Sequence, residues 1–126
     1  MRATLLTVNL PPQKETSLRV LAVRLGLQVK SVPAQQAGHT LTQLLFGLTD
    51  PSIPATPDFT GELLLMAGLT GKTMDLLLQG LRRQRANIPL KAVLTETNTS
   101  WSLVQLHQEL CRERDAFAAG QNAHEE

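Results

Sequence analysis

The spacing of apolar positions changes repeatedly along this chain, and each change marks an element. Ala3 to Asn9 (ATLLTVN) is a short apolar run closed by Pro11-Pro12, the pattern of a buried strand leading into a helix whose first turn accepts proline. Leu18, Leu21, Ala22 and Leu25 then recur at helical spacing, with Arg19 and Arg24 on the other side and Gly26 as a left-handed stop. Leu27 to Val32 alternates apolar and polar residues and ends at Pro33, as an edge strand does. Thr40 and Gln43 form a capping box in front of a short helix over about Leu41 to Phe46. Thr49 to Gly61 carries three prolines and no period, and reads as a loop.

The same order returns after that loop. Leu63 to Met66 is a continuous apolar strand, Gly68 permits a sharp turn, and Thr70 caps a helix stapled by Leu69 and Met74. Met74, Leu77, Leu78 and Leu81 form its apolar face, and Gly80 within it implies a neighbouring backbone packed closely there. Leu90 to Thr95 is a fourth strand and Glu96 to Ser100 a polar loop. Ser102 and Gln105 cap a last helix with Leu103, Leu106, Leu110 and Phe117 on one face, fraying from about Ala118.

Each half therefore reads strand, helix, strand, loop, capped helix. Aligning TVNL (7–10) with MAGL (66–69) sets the halves 59 residues apart, while aligning Thr40–Gln43 with Ser102–Gln105 sets them 62 apart. The drift of three is about one extra turn of helix. Duplication accounts for the pattern; chance similarity between leucine-rich segments is the alternative.

These elements predict one α/β domain over residues 1–117, with halves 1–48 and 62–117 joined by the proline-rich loop 49–61, and a frayed tail over 118–126. The expected architecture is a four-stranded, mainly parallel sheet in order 2-1-3-4 with helices on both faces. The alternative is a ferredoxin-like α+β sheet with antiparallel neighbours. The parallel arrangement brings Asn9, Gly68–Lys72 and Thr95–Asn98 to one edge; the ferredoxin-like form would send the ends of the first and third strands to opposite edges.

Composition narrows the function classes. Four aromatics against 24 leucines leave few rings for stacking bases, and 12 Lys and Arg against 11 Asp and Glu provide no strong attraction to nucleic acid or an anionic membrane. Neither nucleic acid nor membrane is an expected partner. A lone Cys111 rules out an intrachain disulfide. The apolar run near the N-terminus is too short for a signal peptide, and a cytoplasmic location is expected.

The Gly68–Thr73 stretch GLTGKT lies between a strand and a helix, as a phosphate-cradling loop does, but is two residues too short for that motif. What survives is a weaker anion site, with Gly68, Thr70, Gly71 and Lys72 at a helix start and Asn9, Thr95, Glu96 and Asn98 gathered at the same edge. Plain helix capping and turn chemistry explain the same residues. Arg82, Arg83 and Arg85 read as a solvated helix end or a small surface for an anionic partner, and Lys91 as edge protection, an ion-pair member or a pocket residue. His39, His107 and His124 lack paired metal-ligand spacing, so neither metal nor cofactor is expected.

AGLTGKTMD (67–75), the pattern L-K-A-V-L-T-x-x-N-x-x-W from Leu90 to Trp101, and SLVQLHQEL (102–110) resemble a mainly bacterial domain family of unknown function, number thirty-seven eighty-three. The resemblance spans about residues 62–117, and it implies no activity, ligand or catalytic residue. Three functions follow as expectations. One is a non-enzymatic module binding a ligand or protein. Another is a small anion-binding protein or enzyme at the Gly68–Lys72 turn. The last is a homo-oligomer formed through an exposed Leu103, Leu106 and Leu110 stripe.

Overall fold

The computed structural model describes residues 2–55 and 60–124, with side chains through residue 116. The first half comprises β1 (Thr4–Val8), α1 (Pro12–Leu25), β2 (Gln28–Ser31), a 3-10 turn at Ala34–Gln36 and α2 (Leu41–Leu45). The second comprises β3 (Leu63–Ala67), α3 (Gly71–Arg83), β4 (Leu90–Val93) and α4 (Leu103–His124). Caps sit where the sequence places them. Gln43 N–H donates to Thr40 Oγ1 and Gln43 Oε1 accepts from Thr40 N–H, completing the capping box. Thr73 N–H donates to Thr70, and Gln105 N–H to Ser102. The last helix, expected to fray from about Ala118, continues to His124.

Among the described residues four strands form one sheet in the expected order, β2-β1-β3-β4. The outer pairs, β1 with β2 and β3 with β4, are parallel, and the central pair is antiparallel. β1 and β3 are fully buried, since alternate residues face two separate cores. Leu6, Val8, Leu63, Leu65, Leu90 and Ala92 pack beneath α2 and α4 with Leu41, Leu44, Leu103 and Leu106. Leu5, Leu64 and Met66 pack beneath α1 and α3 with Leu18, Leu21, Leu77 and Leu81. Leu103 and Leu106 are therefore core residues and Leu110 packs against them, so the exposed stripe that motivated a homo-oligomer is absent. Phe117 lies outside the residues whose side chains are described. No described helix is long and apolar enough to cross a membrane.

The antiparallel centre goes with placing α1 and α3 on one face and α2 and α4 on the other, which relates the halves by a two-fold axis normal to the sheet. A two-fold axis normal to a sheet keeps its faces and reverses its strands, so equivalent halves joined through their first strands meet antiparallel. Leu6 and Leu65, equivalents at a spacing of 59, lie directly opposite each other. On the other layer Thr40 bridges Ser102, equivalents at a spacing of 62. Around that bridge the bonds come in matched pairs. Leu41 N–H donates to Trp101 O (2.9 Å) and Leu103 N–H to His39 O (3.1 Å); Thr42 N–H donates to Thr99 O (3.3 Å) and Val104 N–H to Ala37 O (3.0 Å).

The step from 59 to 62 lies elsewhere than in a helix. Leu27 N–H closes α1 on Ala22 O and Ala86 N–H closes α3 on Leu81 O, still 59 apart, whereas Gln28 and Leu90 open the equivalent outer strands. The extra residues are Asn87, Ile88 and Pro89, between α3 and β4. Lys14 fastens this insertion to α1, its ammonium reaching Glu62 Oε1 at 2.6 Å and Asn87 O at 2.5 Å. Gly80 shows what the axis demands. Its equivalent is Leu21, and a Cβ on Gly80 would stand 2.5 Å from Leu21 Cδ2. Two leucines would collide there, so one equivalent is glycine and the neighbour packed on it is a side chain rather than the expected backbone.

Candidate functional site in the crevice between α3 and β4

The residues singled out as an anion site divide between two edges. Reversal of β3 relative to β1 sends Asn9 to the start of β3, where its Nδ2 donates to Gly61 O at 3.1 Å. Gly68–Lys72 and Thr95–Asn98 lie at the opposite edge, after β3 and β4, so the single-edge gathering of a fully parallel sheet does not form. Their groups serve turns. Thr70 caps α3, Gly71 is its first residue, Gly68 has φ 76°, and Lys72 and Glu96 are exposed. Asn98 is buried; its Oδ1 accepts from Thr95 N–H (2.8 Å), its Nδ2 donates to Val93 O (3.0 Å), and its N–H donates to Thr95 Oγ1 (3.2 Å).

A cavity of about 520 Å³ opens instead between the end of α3, the Asn87–Pro89 insertion and β4. Leu78, Leu81, Ala86 and Ile88 form an apolar floor, and Arg82, Arg85 and Lys91 stand around it. Lys91 extends from β4 on the α1/α3 side and its ammonium bonds Ile88 O at 2.7 Å. None of these cations pairs with a carboxylate among the described residues. The lining contains no carboxylate, imidazole or thiol. Its chemistry is apolar contact beside positive charge.

The two-fold relation shows why the crevice is open here. In the first half the equivalent of Leu78 is Arg19, and the equivalents of Arg82, Arg85 and Lys91 are Val23, Gly26 and Val29. There Arg19 bonds Glu15 (3.1 Å) and Ser31 (3.3 Å), and Ser31 donates to Glu15 Oε1, so a polar network spans α1 and β2. Met74 and Val93 replace Glu15 and Ser31 in the second half and cannot make it. The insertion then widens the opening.

Arg85 carries a further mark. At φ 53° it holds the left-handed position that Gly26, its equivalent, holds at φ 71°. A non-glycine residue there costs about 1 kcal/mol or more. The charged side chain is kept at a position where backbone energetics favour glycine. The sequence shows Arg85 within the Arg82, Arg83 and Arg85 cluster and Lys91 as a lone strand cation, but not their convergence on Leu78, Leu81 and Ile88.

The Glu15 network makes a prediction of its own. The Ser31 hydroxyl, aided by Arg19 and opposed by partial burial, holds the Glu15 carboxyl below the ordinary glutamate value. A depressed folded-state pKa stabilises the fold above the unfolded value, about pH 4.3, and this stabilisation is lost as pH falls through the folded value. Carboxyl NMR titration is expected to place the Glu15 midpoint below that of a free glutamate, and Ser31→Ala is expected to raise it. An unchanged midpoint in Ser31→Ala would remove the hydroxyl as the cause.

A second cavity, about 510 Å³, is lined by Asn9, Gly61, Glu62, His107, Cys111 and Arg114 among others. Cys111 Sγ is 3.8 Å from His107 Nε2 and 3.9 Å from Nδ1. The sulfur is nearly equidistant from both ring nitrogens and so is in line with neither lone pair. Glu62 is already paired with Lys14, and Arg114 stands 3.8 Å from Asp115. The first cavity, whose three cations pair with no carboxylate among the described residues, is the stronger site.

Fold and crevice together define a class: a two-fold α/β domain whose second half has opened a positively charged, apolar-floored pocket. Residues 62–117 match the family model described as Domain of unknown function (DUF3783). That segment is the second half, from the start of β3 into α4, and includes every residue lining the α3–β4 crevice. No curated protein and no solved structure matches the chain.

Proposed function

We propose that this domain is a binding module that takes an amphipathic anion in the α3–β4 crevice. The observation carrying this reading is that Arg82, Arg85 and Lys91 surround an apolar floor without a carboxylate partner among the described residues, at the place where the two halves depart from their symmetry. Apolar floor and positive rim complement a ligand with a hydrocarbon body and a carboxylate or phosphate head. A cavity of about 520 Å³ accepts a chain the size of decanoate. The lining supplies orientation and charge, and lacks an acid–base pair, so binding rather than turnover is the function it supports.

Isothermal titration with decanoate tests this. Saturable binding with Kd between about 0.01 and 1 mM is expected, the range open to a ligand of that size. Decanol, without the charge, is expected to bind at least tenfold more weakly. Arg85→Gly is expected to weaken decanoate binding while raising stability by about 0.5–1 kcal/mol, because it relieves the left-handed backbone. Absence of saturable binding, or affinity unchanged from the wild type in both Arg82→Ala and Arg85→Gly, would remove the reading.

A further inference from the structure

The β4 edge beside this crevice carries unused backbone groups. In a parallel ladder alternate residues present their N–H and C=O to opposite sides. Leu94 N–H donates to Met66 O, so Leu90, Ala92 and Leu94 face β3, while Lys91, Val93 and Thr95 face away from it. Asn98 already occupies the far end of that outer edge, its side-chain amide pairing with Val93 O and Thr95 N–H as a neighbouring strand would. Lys91 N–H, Lys91 C=O and Val93 N–H have no partner among the described residues. β4 is an edge strand of the sheet, and Val93 on it is 41% exposed.

We infer that the anionic ligand of the crevice is an extended acidic peptide that adds to β4 as a fifth strand. This rests on the binding reading above and names the partner class. An added strand turns every second side chain toward the face that carries Lys91, where Leu78, Leu81 and Ile88 receive an apolar residue and Arg82 and Arg85 meet acidic residues two positions away. Ordered addition ends at Asn98, because that side chain fills the next pairing position. β2, the other edge strand, has no comparable partner surface: the Glu15–Ser31–Arg19 network spans the adjoining face. The Lys91 ammonium on Ile88 O guards the empty edge, and an incoming carboxylate gives it a stronger partner.

The probe is the acetylated, amidated peptide Glu-Thr-Val-Thr-Glu, with two partners in which alternate backbone amides are N-methylated, one set in each. The full chain is titrated with each while backbone amide exchange is followed by NMR. The unmodified peptide is expected to bind, to slow exchange at Lys91 and Val93, and to lose affinity at least tenfold in Arg82→Ala. Methylation of one alternate set should weaken it at least tenfold and methylation of the other should not. Binding indifferent to both methylated sets, or without protection at Lys91 and Val93, overturns strand addition. If decanoate binds and the peptide does not, the peptide inference falls and the anion-binding reading stands. If neither binds, both fall.

Discussion

Truncating Leu65 to alanine is expected to destabilise the domain by about 3–4 kcal/mol, a large part of what a domain of this size possesses. Leu65 is completely buried at the centre of β3, opposite its equivalent Leu6 and within the core beneath α2 and α4. β-Sheet backbone on both sides holds the site open, so the cavity cannot easily collapse. The two-fold relation adds a sharper expectation: Leu6→Ala should cost the same within about 1 kcal/mol, since both side chains lie on the same axis in matched surroundings. Urea unfolding of the two variants measures both quantities, and each midpoint should fall with its slope unchanged. Costs differing by more than about 2 kcal/mol would show that the halves, though alike in topology, differ in packing.

Replacing Gly80 with leucine is expected to cost about 3 kcal/mol, although leucine is the better helix former by about 0.8 kcal/mol. The Cβ alone comes within 2.5 Å of Leu21 Cδ2, and the remaining carbons have no space on the axis between α1 and α3. Because Leu21 and Gly80 are equivalents, the same knob should fit from either helix. Leu21→Ala alone should cost about 2–3 kcal/mol through its cavity. The double variant, Leu21→Ala with Gly80→Leu, should be more stable than Gly80→Leu by about 1–2 kcal/mol, whereas independent effects would make it less stable than either single variant. A double-mutant cycle from chemical denaturation decides between these outcomes. Additivity would mean that Leu21 escapes the clash by another rotamer and that the axis imposes no constraint.

Much of the architecture was legible because its signals are local. The Thr40–Gln43 box, the Thr70 and Ser102 caps, the stop at Gly26 and the helical spacing of Leu77 and Leu81 depend on residues within two turns of one another. The spacings of 59 and 62 also contained the two-fold relation, which aligns Leu6 with Leu65 and Thr40 with Ser102. Their difference of three matches one helical turn in length, yet it belongs to Asn87–Pro89, since the helix ends keep the first spacing. Asn98 suits both a turn and a ligand edge in the sequence, and its bonds to Thr95 and Val93 hold the turn.

The crevice had no comparable local mark. Arg82, Arg85 and Lys91 are separated in the chain by a helix end and a strand start, and only tertiary packing brings them around Leu78, Leu81 and Ile88. Composition and hydrophobic spacing determined four strands, their helices and a repeated plan, because capping and burial act through neighbours and through the faces of single elements. The direction of β3 against β1 was decided by how two equivalent halves cover each other's inner strands. That packing between distant segments placed Asn9 at one edge and Gly68 at the other, and left the outer side of β4 open beside Arg82, Arg85 and Lys91.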